Sequence, residues 1–314
     1  MNQRRSPNGK TRICLVVACS QRKRLPAPSR LQLRSVRSRG AERVAQWNAR
    51  LGSIDAPRLS AADLYAGDHW QSAVQAHEEA RLYSSGAELW VISAGYGLIR
   101  ADSKVKPYSA TFATRADDAV WRGPCDGDRL GQLDRWWDGL QHRTSLSDLI
   151  AQPDTVVVVA AGAPYITALR KDIAVALESA PEDDRLSIVS AGTSEGDGML
   201  PVDGRFRTLV GGTDSSLNAR VLAMLASEAA THRFRRSAMT EFVLRMASDL
   251  PELARGGGAR VSDDEVARCI DVIRKKHPTI GRTSALQMLR RDRVACGQSR
   301  FKTIWQQTAL PSKR

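Results

Sequence analysis

Four short stretches of this sequence bring together side chains that could bind and activate a ligand. Cys19-Ser20-Gln21-Arg22-Lys23 offers a thiol, a hydroxyl and two cations. Ser20 and the N–H groups after it could hold a phosphate or a sugar, and Arg22 and Lys23 could neutralise it. Cys19 could be a nucleophile, but no histidine accompanies it, so it equally suits the lining of a pocket. Ala62 to Trp70 (A-D-L-Y-A-G-D-H-W) holds two carboxylates, one histidine and two aromatic rings. Asp63 could serve a reaction or cap a helix, and His69 suits a local hydrogen bond.

The third stretch runs from Ser93-Ala94-Gly95-Tyr96-Gly97 through Asp102 to Pro107-Tyr108-Ser109-Ala110-Thr111-Phe112. Tyr96, Tyr108 and Phe112 could stack on a base, an interaction worth about 1–3 kcal/mol per base. The same rings could instead pin the loop by burying themselves. Ser93 and Ser109 are hydrogen-bond donors, and Asp102 is the stretch's one carboxylate. The fourth stretch, Gly211-Gly212-Thr213-Asp214-Ser215-Ser216-Leu217-Asn218, precedes a helix. It reads as an anion or sugar cradle made by Asp214, Ser215 and Asn218, or as plain helix capping.

The elements between these stretches would have to bring them to one place. Ile13–Ala18, Leu89–Ser93, Thr155–Ala161 and Leu186–Ser190 are short apolar runs rich in β-branched residues. Such runs suit strands buried on both faces. Helical spacing over Ala61–Ser84, Asp128–Gly139, Ala163–Leu177 and Ser216–Ala230 alternates with them, and Ser20–Arg39 reads as a long loop. The expected fold is therefore α/β, a mostly parallel central sheet with helices on both faces. In such sheets the ligand site lies at the carboxyl ends of the strands. Each run ends in small or polar residues, so four strand ends are expected to converge on one site.

Charge divides along the chain. The 314 residues carry a formal net charge of +13, and the sequence pI is about 10.0. Residues 1–50 hold thirteen basic residues against Glu42 alone, residues 227–314 hold eighteen basic and nine acidic, and the middle is net acidic. Two separated basic blocks point to a polyanion, and nucleic acid is the expected partner. A basic solvated surface is the alternative. The five cysteines (Cys14, Cys19, Cys125, Cys269, Cys296) form no C-x-x-C pair. Neither a disulfide framework nor a metal is expected, and no cofactor. No apolar run approaches the ~20 residues that cross a bilayer. The N-terminus lacks a signal-peptide pattern, so a cytoplasmic location is expected.

Three segments follow: a basic disordered arm over 1–12, an α/β catalytic domain over 13–230, and a basic helical domain over 231–314. The last holds short helices over Ser237–Leu250, Ser262–Lys276 and Thr283–Gln307, the last interrupted near Gly297. With a turn at Pro278 and Gly281, they read as a helix-turn-helix-like module or a plain basic bundle. Arg235, Arg236, Arg290, Arg291, Arg293, Arg300 and Lys302 are its candidate phosphate contacts, beside Phe301 and Trp305.

The motifs C-S-x-R-K, A-x-D-L-Y, S-A-x-Y-G-L and P-Y-x-x-T, in this order between Ile13 and Ala230, resemble a prokaryotic domain. That domain is similar to the uracil-DNA glycosylase superfamily and to part of the archaeosine-synthase family of tRNA-modifying enzymes. The resemblance implies N-glycosidic hydrolysis of a flipped nucleotide. Superfamily glycosylases carry a water-activating Asp in the first-strand loop, where this chain has Cys19-Ser20. Their late loop carries a His that Asp214–Asn218 lacks, and related domains often place Asp at the position of Ser109. Ordinary uracil excision is therefore not expected. Motif order and the basic tail look similar to anti-phage glycosylases acting on bulky modified bases in double-stranded DNA. Such a reaction needs a carboxylate beside a cationic sugar and donors beside the leaving base. Asp102, Asp63 and Asp214 are the candidates for the carboxylate. A tRNA-modifying or base-exchanging enzyme and a non-enzymatic DNA-binding regulator are the alternatives.

Overall fold

Ile-Cys-Leu-Val-Val at 13–17 has no polar face, and the strand it forms is fully buried. The computed structural model describes residues 11–123, 128–141, 144–179, 184–192, 196–251, 261–292 and 294–308. Among these, the chain opens with β1 (Arg12–Ala18), α1 (Gly40–Ser53), β2 (Leu59–Ser60), α2 (Ala61–Leu64) and α3 (Asp68–Tyr83). It continues through β3 (Ala87–Ser93), β4 (Gly97–Arg100), β5 (Lys104–Val105), α4 (Arg129–Gly139) and α5 (Leu146–Ile150). Next come β6 (Thr155–Ala160), α6 (Ala163–Glu178), β7 (Leu186–Val189), α7 (Phe206–Val210), α8 (Leu217–Ser227), α9 (Ala229–His232) and α10 (Arg236–Ser248).

The central sheet has five strands in the order β4-β3-β1-β6-β7. β1 pairs in parallel with β3 and β6, and β7 in parallel with β6. Only β4 runs antiparallel, paired with β3 from Ser93↔Gly97 to Trp90↔Arg100. The expected α/β class and mostly parallel sheet are what the chain adopts. Helices surround the sheet: α3 packs on α8, while α4 packs on α1 and α6.

The helix expected over Ala61–Ser84 is two helices. Gly67 takes φ +93° between them, and α3 restarts at Asp68. This break points α3's N-terminus at the carboxyl end of β1, which an unbroken helix would not do. Helix α1 is not among the helices expected from the sequence. Its buried stripe of Val44 and Trp47 includes Arg43, buried with its guanidinium donating to the Ala119 and Val120 carbonyls.

The chain divides into two compact units, Met1–Pro251 and Glu252–Arg314. The division falls after residue 251, not after 230. Helix α10 belongs with the first unit, because Met239, Phe242 and Val243 bury into its core and the Arg236 N–H bonds the Asp184 carbonyl. The second unit holds α11 (Asp263–Lys276), α12 (Arg282–Arg291) and α13 (Gln298–Gln307). They enclose their own core of Val266, Ile270, Leu286, Leu289, Phe301 and Ile304. The Gly256–Gly258 connection and the 1–10 part of the N-terminal arm lie outside the described residues. No helix among the described residues is long and apolar enough to cross a membrane.

Candidate active site

The carboxyl ends of β1 and β6 and the N-termini of α3, α6 and α8 surround one cleft of about 470 Å³. Small-molecule sites commonly measure about 300–1,000 Å³. The helices begin at Gly67, Gly162 and Ser216, and none of these residues caps its helix with a side chain. The first-turn N–H groups of α3 and α8 make the cleft floor electropositive, with only Ala163 adding to them from α6, where Pro164 has no N–H and the Tyr165 N–H returns to the Gly162 carbonyl.

The rim is tied together by the first-strand loop. Ser20 Oγ donates to the Ala66 carbonyl at 2.7 Å and accepts from the Arg22 N–H at 3.1 Å. The Ala66 N–H donates to the Arg22 carbonyl at 3.0 Å. Ser20 is thus spent on shaping the loop, and the Arg22 side chain projects, exposed, from the rim. Cys19 Sγ lies 3.4 Å from the Tyr165 hydroxyl, which is 3.3 Å from Thr111 Oγ1. Burial lifts the Tyr165 phenol well above its usual range, so this hydroxyl stays protonated. On the far wall Asn218 Oδ1 accepts from the Ala191 N–H at 2.8 Å, tying the exit of β7 to α8.

Asp68 is the only carboxylate lining this cleft among the described residues. Arg220 Nε and Nη2 clamp it at 3.1 and 2.5 Å. Hydrogen bonds from Arg220 and from Ser216 hold its carboxyl below the usual carboxylate range. His69, next along α3, donates from Nε2 to the Ala18 carbonyl at 2.8 Å, because a carbonyl can only accept. Burial pushes its pKa down, which keeps the ring neutral and Nδ1 bare. Nδ1 is buried without a hydrogen bond of normal geometry, although the Ser215 backbone lies near enough to favour the charged ring. The arrangement sets an ionised carboxylate beside a neutral imidazole, below an electropositive floor and a free rim arginine.

Of the expected residues, Cys19, Ser20, Arg22, Ser215 and Asn218 line this cleft. Lys23, Tyr108 and Ser109 line a smaller polar pocket of about 230 Å³, and Gln21 borders both. There Lys23 Nζ donates to the Ser20 carbonyl at 3.1 Å and lies 4.5 Å from the Tyr108 ring centre. Burial lowers its pKa. Ser109 Oγ donates to the buried carboxylate of Asp118 at 2.7 Å.

The three expected carboxylates stand elsewhere. Asp102 lies in the turn after β4, which runs away from the carboxyl end of β3, and pairs with Arg100 at 3.1 Å. β4 carries the chain roughly 10 Å from Gly97 to Arg100 at ~3.3 Å per residue, and Asp102 lies beyond that end. Asp63 is exposed in α2 and accepts from Ser60, the residue capping that helix. Asp214 is 89% exposed and turns to Arg207 at 2.6 Å. The stacking surfaces expected of Tyr108 and Phe112 are also taken, since burying a ring's apolar area outweighs leaving it free, and Tyr96 lines a different cleft. Tyr108 packs on Trp47 and Tyr96, and its hydroxyl meets Ser93 and Tyr65 at 2.7 and 2.8 Å. Phe112 packs on Trp137 and Tyr165. The Tyr96 hydroxyl bonds the Lys106 backbone, and burial pushes that phenol up to about 12. Gly97, at φ +84°, turns the chain into β4.

Among the expected phosphate contacts, Arg236 is anchored to Asp184 and the Leu186 carbonyl, while Arg235 is exposed at the start of α10. In the second unit Arg300 is spent on Asp263 and the Val261 carbonyl, and Arg290 on the Cys296 carbonyl. Arg291 and Lys302 are exposed. Arg293 lies outside the described residues. Phe301 is a core residue, and Arg274 stacks on Trp305 at 3.8 Å. Asp68, Tyr165 and Arg220 are not among the expected site residues, and His69 makes the local hydrogen bond expected of it. The available signal was Gly67 immediately before Asp68-His69, a glycine able to restart a helix at a strand end. No group of three or more potential metal ligands occurs among the described residues. No known protein-family model matches this chain, and no curated protein matches it.

Proposed function

We propose that this chain is a nucleic-acid N-glycosidase, a DNA glycosylase that draws a modified or damaged base into the cleft and leaves an abasic site. The observation that carries this reading is Asp68, an ionised carboxylate beside three converging helix N-termini on a chain of net charge +13. Glycosidic cleavage develops positive charge on the sugar and negative charge on the departing base. Asp68 answers the first and the helix N-termini answer the second. Arg22 takes a flanking phosphate. His69 is a positioning residue that ties the start of α3 to the end of β1.

The second unit is proposed to grip the duplex as a helix-turn-helix-like module, with Arg282 and Arg291 of α12 on the phosphates. Binding is then expected to weaken about a thousand-fold between ~50 and ~200 mM salt if about six phosphates are engaged.

A base-release assay tests the reading. Phage DNA carrying bulky modified bases, unmodified DNA and tRNA are each incubated with the full chain, and free base and abasic sites are counted. Release from modified DNA alone is expected. Release from tRNA alone would move the activity to RNA. Release from none, with salt-sensitive DNA binding intact, would leave a binding protein without catalysis.

A further inference from the structure

A second cleft of about 470 Å³ lies along the β4 edge of the sheet and shares no lining residue with the first. Four cations line it, Arg58, Arg100, Lys104 and Lys106, and no carboxylate does among the described residues. Their states differ. Lys106 is buried, and its amine is consumed by the Leu51, Gly52 and Ile54 carbonyls at 2.7, 3.3 and 2.5 Å. It closes the C-terminus of α1 and is structural. Arg100 is half-exposed and shares its charge with Asp102. Arg58 and Lys104 are exposed, and neither side chain has a hydrogen bond or ion pair among the described residues.

The rest of the lining is not that of a simple charged surface. Leu98, Ile99 and Val105 give an apolar wall, with Trp90 and Tyr96 beside it. Asn48 lines the same cleft at 9% exposure. Its Nδ2 donates to the Gly139 carbonyl at 2.7 Å, which fixes the amide's orientation. Its Oδ1 is then a buried acceptor with no partner. A buried acceptor calls for a donor, an apolar wall with aromatic members calls for a flat apolar body, and three outward cations exceed what a single carboxylate needs. A nucleotide meets all three requirements.

We infer that this cleft binds a nucleotide, with Arg58, Arg100 and Lys104 on its phosphates and Asn48 Oδ1 accepting from an N–H of its base. The inference does not depend on the glycosylase reading, because it concerns a different cleft and a different chemistry.

Isothermal titration calorimetry of the full chain tests it, with ATP, GTP, adenosine and inorganic tripolyphosphate as titrants. At least one nucleotide is expected to bind with a Kd below about 0.1 mM, and tighter than both adenosine and tripolyphosphate. R58E/K104E reverses two exposed, unpaired charges, so its thermal melt should match the parent while nucleotide affinity falls about tenfold or more. R22E, in the other cleft, should leave nucleotide affinity unchanged. A tetranucleotide that displaces ATP, and is itself weakened by R58E/K104E, would identify the ligand as part of a strand and still support the site. Three results would overturn the inference: no nucleotide binding at about 1 mM, tripolyphosphate binding as tightly as the best nucleotide, or loss of binding in R22E but not in R58E/K104E.

Discussion

Asp68 at the first turn of α3 and Arg220 on α8 hold each other through two parallel hydrogen bonds, Nε to Oδ2 at 3.1 Å and Nη2 to Oδ1 at 2.5 Å. Arg220 Nη1 reaches on to the Val210 carbonyl at 2.9 Å. Asp68 borders the cleft, and the pair together borders a groove of about 770 Å³ between α3, α8 and α10. It therefore fixes both the orientation of the cleft's carboxylate and the join between two helices.

Replacing Asp68 by Asn separates those two roles. Base release from a modified duplex is expected to fall by about a hundred-fold or more, since the group opposing the sugar's charge is gone. Stability should fall by no more than about 1 kcal/mol, because both partners are partly exposed. Single-turnover base release and urea unfolding measure the two. The wild-type pair also has a pH signature. Its carboxyl is depressed in the folded state, so its stabilisation is present above the ordinary Asp value of ~3.9 and lost as pH falls through the lower folded value. Unimpaired base release by D68N would remove Asp68 from the chemistry.

Gly212 makes the Arg220 reach possible. Its φ is +80°, and an added Cβ would stand 2.6 Å from Arg220 Cδ and 2.8 Å from Ser216 Oγ. Gly211 is also left-handed at φ +67°, but a Cβ there meets nothing nearer than 3.9 Å. Both G211A and G212A incur a positive-φ backbone cost, about 1–3 kcal/mol. Only G212A also drives Arg220 from Asp68, so it should be the more destabilised by about 1–3 kcal/mol. Equal urea midpoints for the two variants would mean Arg220 finds another route.

What the sequence revealed and what it hid follow from range. Ile13–Val17 and Val156–Ala160 are readable as buried parallel strands because every side chain in them is apolar. Their ends located Cys19 and Ser20 at the cleft, and the helix start after Thr213 located Ser215 and Asn218. The carboxylate was not readable in the same way. Asp63, Asp68, Asp102 and Asp214 are alike as residues, and what separates them is which end of the sheet each reaches or, for Asp214 between the cleft-lining Thr213 and Ser215, which way its side chain turns. For Asp102 that depends on β4 turning back antiparallel, and the four residues Gly97–Arg100 carry no pattern long enough to announce it. The aromatic loop misled for a related reason. Tyr108 and Phe112 follow proline or polar neighbours and look exposed, yet Trp47 and Trp137, distant in sequence, bury them.

Acid should destabilise the first unit through two histidines. His232 donates from Nε2 to the Leu225 carbonyl at 2.9 Å and accepts at Nδ1 from the Phe234 N–H at 3.0 Å, so it is committed to the neutral form. Burial depresses its pKa, as it does that of His69. The unfolded chain then binds more protons than the folded one below the ordinary His value of ~6.5. Stability is complete above that pH and falls beneath it, by up to about 1.4 kcal/mol per pH unit for each ring. Urea unfolding at pH 7.5 and 5.5 measures this in a window where ordinary carboxylates remain ionised. Equal stabilities at the two pH values would show that these rings accept protons in the folded state.

Phe301 is fully buried in the core of the second unit, stacked on Trp305 at 5.8 Å. Truncating such a ring to alanine costs about 3–5 kcal/mol. A unit of this size holds about that much stability in total, so F301A should unfold it. The first unit has a separate core, and its melting should not change. Calorimetry should therefore show two transitions in the parent and one in F301A. If the second unit grips the duplex, F301A should also lose most of its DNA affinity while its far-ultraviolet spectrum drops by only the share of α11, α12 and α13. Retained DNA affinity in a variant that has lost the second transition would place the grip on the first unit, where Arg22 and Arg235 are the exposed cations to test next.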